Sequence, residues 1–146
     1  GHFQEKFGDV LGAVLHEGIF LVFASSADTP LPMVASRDIA EIAVQELLAD
    51  TQTSEAVDIV GPEYTERQVA RSLSVVLGKP LEVVPIPEPG WMKALVEAGF
   101  APHIAESLAD LYRADEQKRL GPRGDRSIRV TTDIDTTVRH VLAQEV

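Results

Sequence analysis

Residues 32–50, "PMVASRDIAEIAVQELLAD", pass from an extended apolar stretch into a helix in a single step. Apolar positions 32–35 give way to Ser36, Asp38 falls in the first helical turn, and Ile39, Ile42, Ala43 and Leu47 recur at helical spacing. A strand that feeds a helix directly needs a sheet for the helix to pack on, so the chain reads as mixed αβ. Such junctions usually sit in the second half of a larger αβ protein. The Ser36 hydroxyl is placed to cap the helix over 37–49. Asp38 sets a negative charge near the positive helix end, a stabilising role rather than a catalytic one.

The flanking sequence extends this pattern. Residues 4–16 read as a helix with Phe7, Val10, Leu11, Val14 and Leu15 on one face. Gly8 and Gly12 lie one turn apart on another face and suggest a close neighbour there. Strands are expected over 18–25, 33–36 and 55–62. Thr65 and Gln68 have capping-box spacing before a helix with Val69, Ala70, Leu73, Val76 and Leu77 inward, ending at Gly78. Residues 79–89 are extended, and prolines at 80, 85, 87 and 89 confine them to an edge or short strand. Helices follow over 91–100, with Trp91, Leu95 and Ala98 inward, and over 102–120, with Ile104, Leu108, Leu111 and Tyr112 as the stripe. Residues 128–132 are extended, and Thr132 is placed to cap a last helix carrying Val138, Val141 and Leu142. The order is α-β-β-α-β-α-β-α-α-β-α, a helix-rich α/β (α+β) fold with a few short strands. At 146 residues it has the size of a single domain, 1–146.

Composition narrows the functions. No apolar run approaches the roughly 18 residues that span a bilayer, and the start of the chain carries charges where a signal peptide has an apolar core. With no cysteines, disulfides, thiolate metal sites and a cysteine nucleophile are excluded, which fits a cytoplasmic protein. The net charge of −10 repels phosphate backbones, so neither nucleic acid nor membrane is expected as a partner. Lys118, Arg119, Arg123, Arg126 and Arg129 form one basic stretch, either a solvated loop or a partner contact through Arg123 and Arg126. No glycine-rich G-x-G-x-x-G loop, phosphate-binding loop or G-x-S-x-G elbow occurs. The histidines at 2, 16, 103 and 140 are too scattered for a metal site. Neither Tyr64 nor Tyr112 has a lysine four residues on. No catalytic residue is singled out.

Three segments in order, "HFQEKFG" at 2–8, "LPMVASRDIAEIAVQELL" at 31–48 and "VDIVGPEYTERQVARSLSVVLGKPLEVVPIP" at 57–87, resemble the C-terminal half of NmrA-like proteins. These are atypical short-chain dehydrogenases with an NAD(P)-binding Rossmann half and a smaller substrate lobe. The resemblance implies that the chain is the substrate lobe without its nucleotide-binding half. It would then hold no cofactor itself, while the parent proteins use NAD(P). The family often has Asn where this chain has Lys6. A small organic ligand would sit among Phe3, Gln4, Phe23, Trp91 and Tyr112, although Phe3, Trp91 and Tyr112 also suit plain core packing. The implied function is the lobe of an NAD(P)-dependent oxidoreductase of carbonyls or quinones, inactive alone. The alternative is a regulatory, redox-sensor-like module that self-associates. The strand near residues 57–60 would lack its neighbour, so a homodimer is expected if no nucleotide-binding half covers it.

Overall fold

The computed structural model describes residues 2–50 and 54–144. The chain runs β1 (His2–Phe3), a 3-10 helix (Gln4–Val10), α1 (Leu11–Glu17), β2 (Ile19–Val22), β3 (Leu31–Val34), α2 (Ser36–Leu48), β4 (Val57–Val60), β5 (Glu63–Tyr64), α3 (Glu66–Leu77), β6 (Glu82–Pro85), α4 (Trp91–Glu97), α5 (Pro102–Glu116), β7 (Arg126–Arg129) and α6 (Ile134–Gln144). The order anticipated from periodicity is present, with two-residue strands β1 and β5 added.

The strands make three small sheets instead of one large one. β3 lies between β1 and β5, parallel to the first (His2 opposite Met33) and antiparallel to the second (Leu31 opposite Tyr64). β2 runs parallel to β6 with Ile19 opposite Glu82, and β4 runs parallel to β7 with Val57 opposite Arg126. Pro85 ends β6, as a residue without an N–H donor should. Between β4 and β5, Gly61 is required by space: a Cβ there would lie 1.9 Å from the Met33 carbonyl oxygen. The core gathers Val14, Phe20, Leu73, Trp91, Leu95 and Val138, all essentially without solvent contact.

Several local expectations need correction. The first helix is two: a 3-10 segment over Gln4–Val10 precedes α1. Its glycines have no close neighbour, since a Cβ on Gly8 or Gly12 would meet nothing within 4 Å. Ser36 does not cap α2. Ala35 is the N-cap, and the distant Glu5 carboxylate accepts both the Ser36 amide (2.9 Å) and its hydroxyl (2.8 Å). Thr132 donates instead to Asp38 (2.6 Å), while Asp133 accepts the Thr136 amide (2.7 Å) at the start of α6. That amide, above other influences, holds the Asp133 carboxyl below its ordinary range. The capping box is present as expected, with Gln68 N–H to Thr65 Oγ1 at 3.1 Å and Thr65 N–H to Gln68 Oε1 at 2.8 Å.

The buried stripe of α5 lies on Ala105 and Ala109, with Leu108 and Tyr112 partly covered, while Ile104 and Leu111 face outward. Small residues let α4 approach closely, and periodicity counts them less than the larger apolar residues beside them. Ala98 is exposed rather than inward. α2 buries Asp38 and Ile42, but Leu47 and Leu48 are 84% and 81% exposed.

The N-terminal segment is fastened by Gln4, whose side chain is buried. Its amide nitrogen donates to the carbonyls of Thr132 (2.7 Å) and Met33 (3.3 Å), and its oxygen accepts the Thr137 hydroxyl. Next to it, His2 Nε2 meets Asp115 of α5 at 3.0 Å. Burial, the largest influence, keeps the His2 imidazole below its ordinary pKa despite that carboxylate, so the contact near neutral pH is mainly a hydrogen bond. Replacing Gln4 by Met preserves shape but takes the donor from the Met33 and Thr132 carbonyls and leaves the buried Thr137 hydroxyl only the Asp133 carbonyl at 3.4 Å. Urea unfolding of Gln4→Met should register a loss of roughly 3 kcal/mol, and a loss within experimental scatter would contradict the clamp.

Candidate functional site

Phe20, Leu21, Val22 and Phe23, in and just after β2, line a cavity of about 390 Å³. One wall comes from the N-terminal segment through Lys6, Phe7, Asp9 and Val10, continued by Gly12, Ala13 and Glu17 of α1. The other comes from Ala94, Leu95, Glu97 and Ala98 with Phe100 beyond α4. Ile86, Glu66 and Tyr112 complete it. The volume suits a small organic molecule. Gly12, which has open space where a Cβ would be, is one reason the room exists.

Tyr112 is the centre of the aromatic contacts. Its ring stacks on Phe23 with centroids 5.4 Å apart and planes 18° from parallel. Trp91 meets it edge-on at 5.7 Å and 81°. Lys6 Nζ lies 5.8 Å from the ring centroid and donates to Glu66 Oε1 at 2.7 Å. Burial first, then the Asp9 and Glu66 charges, push the Tyr112 phenol up to about 12, so it remains neutral across the physiological range.

Of the five residues expected to surround a ligand, Phe23 and Tyr112 line the cavity. Phe3, Gln4 and Trp91 do not. Phe3 is exposed on β1, Gln4 is consumed by backbone and hydroxyl partners, and Trp91 is wholly buried with its indole N–H on the Ile86 carbonyl at 2.6 Å. Trp91 therefore positions Tyr112 from behind. Lys6 and Glu66 were missed as a pair because 60 residues separate them in sequence. Lys6 did carry a signal, as the residue that replaces the Asn common in the family it resembles. Arg123 is exposed, with one long contact of 3.4 Å to the Arg119 carbonyl. Arg126 is held between Glu46 (2.6 Å) and Glu55 (2.8 Å), so two carboxylates already answer its charge. Neither lies at the cavity.

A dinucleotide's diphosphate is usually held by free amides at a helix start. The strand-to-helix junction most like such a cradle, β3 to α2, has the Glu5 carboxylate on the Ser36 amide, and Asp38 follows in the same turn. The described residues there do not fit a phosphate. Among the described residues no cluster of three or more His, Asp or Glu side chains is placed to hold a metal ion, and no helix is long and apolar enough to cross a membrane.

Comparison with known proteins places the fold. No protein-family model matches the chain. It is 26% identical over 113 residues to the NAD(P)H azoreductase of Xenophilus azovorans, covering 77% of this chain and 39% of that protein. It is 32% identical over 104 residues to the (4-alkanoyl-5-oxo-2,5-dihydrofuran-3-yl)methyl phosphate reductase of Streptomyces griseus, covering 70% of this chain and 36% of that one. Among solved structures, the Citrobacter sp. triphenylmethane reductase complexed with NADP(H) superposes with a TM-score of 0.75 at 22% identity, over 95% of this chain and 50% of its own. An NADPH-dependent quinone oxidoreductase from Escherichia coli superposes with a TM-score of 0.71 at 20% identity, over 97% and 53%. The relatives and structural neighbours are thus reductases, three of them named with NAD(P)H, NADPH or NADP(H), and this chain spans about half the length of the solved ones and under two fifths of the curated ones.

The Tyr112 environment can be checked directly. In a difference titration at 295 nm against Tyr112→Phe, the tyrosinate signal that the variant loses should rise near pH 12. The folded pKa is raised, so its stabilising contribution is complete below the unfolded value near 10 and is lost between there and about 12. A transition at the ordinary pH would contradict the buried, carboxylate-flanked phenol.

Proposed function

We propose that this chain is the substrate-binding lobe of an NAD(P)H-dependent reductase of the NmrA-like type, corresponding to the C-terminal half of such a protein. Its ligand, a small flat organic molecule such as a quinone or other conjugated carbonyl compound, lies in the cavity against Phe23 and Tyr112. The observation that carries this reading is a cavity of about 390 Å³ with a stacked aromatic pair at its edge, in a chain whose fold follows half of several reductases. Bound NAD(P)H would supply a hydride, and among the described residues the β3–α2 junction does not suit its diphosphate. Lys6 Nζ, steadied by Glu66, keeps N–H protons with which to donate to a ligand oxygen. Phe23 and Tyr112 orient the flat ligand, and the neutral Tyr112 phenol adds no charge.

The phosphate named for the Streptomyces relative fits this cavity poorly. Among the described residues that line it Lys6 is the one cation, and Lys6 already answers Glu66. The exposed apolar side chains Phe3, Val44, Leu47 and Leu48 would be covered by a nucleotide-binding half or, without it, by a second copy of the chain. A partner-binding role for the basic stretch is less well supported, because Arg126 is engaged within the chain. The purified chain mixed with NADPH and menadione should show no decline in absorbance at 340 nm beyond the protein-free rate. Sustained, protein-dependent oxidation of NADPH would overturn the reading of a lobe inactive alone.

A further inference from the structure

The charges at the mouth of the cavity are one-sided. Asp9, Glu17 and Glu97 line it from two opposing helical segments and are all exposed. Lys6 is the one basic side chain among the described lining residues, and its ammonium is balanced by Glu66 at 2.7 Å. Glu97 is already paired with Lys93 of its own helix at 3.8 Å, so among the described residues Asp9 and Glu17 are the rim carboxylates without an ion-pair partner, around an interior that is otherwise aromatic and aliphatic. The Phe23–Tyr112 stack offers the flat surface. A cation is already accommodated near that surface, since Lys6 Nζ stands 5.8 Å from the Tyr112 centroid. Walls of low polarity focus the field of the rim charges into the opening, which raises the local concentration of cations and lowers that of anions.

We propose that this cavity selects its ligand by charge, taking planar aromatic cations in preference to neutral aromatics of the same shape and rejecting anionic ones. The inference rests on the cavity being the ligand site, as proposed above. Apolar contact with the stacked rings supplies affinity common to all three classes. Asp9 and Glu17 supply the discrimination by attracting a positive substituent held at the mouth while the ring lies inside. The rim groups are exposed, so the preference is strongest at low ionic strength and fades as salt screens it.

Isothermal titration of the full chain in low salt with 2-naphthyltrimethylammonium, 2-naphthol and naphthalene-2-sulfonate separates the possibilities. The cation should bind tightest and the sulfonate weakest. In Asp9→Asn/Glu17→Gln, the cation-to-sulfonate affinity ratio should fall by about tenfold or more, with 2-naphthol affinity essentially unchanged. Both substitutions are on the surface, and circular dichroism confirms the fold of the variant. Equal binding of cation and sulfonate by the parent chain, or a ratio indifferent to the double substitution, would overturn charge selection while leaving the ligand site standing. Binding of none of the three compounds would overturn the ligand site itself and the selection with it.

Discussion

A single buried amide fixes the segment from which one wall of the cavity is made. Gln4 donates to carbonyls contributed by β3 and by the approach to α6, and it accepts from a hydroxyl on α6 itself. Residues 2–10 form only a two-residue strand and a 3-10 helix, and such short elements have little cooperativity of their own. Without the amide, nothing in local propensity would hold Lys6, Phe7, Asp9 and Val10 at a set distance from α4. Glu5 reinforces the clamp by capping α2 from across the chain, and His2 adds a contact to α5. Three polar side chains, His2, Gln4 and Glu5, each with a distant partner, thus replace the hydrophobic stripe that a longer helix would have used.

The opposite side of the cavity is built on packing. Trp91 is buried against the Tyr112 edge, and its indole N–H satisfies the Ile86 carbonyl. Ala105 and Ala109 bring α5 close to α4, which leaves Tyr112 facing Phe23. Gly12 adds no side chain to the slot between the two sides. Shape and charge have separate origins: the rings and alanines set the slot, while the exposed Asp9 and Glu17 carry negative charge at its mouth.

Element order was legible because each helix carries an apolar period and each break carries Gly, Pro or a cap; the Thr65–Gln68 capping box was readable to the atom. Faces were less legible where small or polar residues decide them. Ala105 and Ala109 outrank Ile104 and Leu111 on α5, and the buried Asp38 interacts with Thr132 as well as with the end of α2. The site was half legible. Phe23 and Tyr112 could be chosen as aromatics on elements of the lobe, and Trp91 lies on the inward face its helix period gave it, but Gln4 is consumed by partners 29 to 133 residues away, which no local pattern encodes. The Lys6–Glu66 pair is invisible for the same reason. The basic stretch looked like a free surface only because Glu46 and Glu55 are distant from Arg126 in sequence.

The most direct test is a crystal structure of the chain soaked with menadione. The account predicts density for the ring system in the cavity between α1 and α4, in contact with Phe23 and Tyr112, with Gln4 and Trp91 keeping their present partners. Density against exposed Phe3 or displacing Trp91, with the cavity empty, would contradict it.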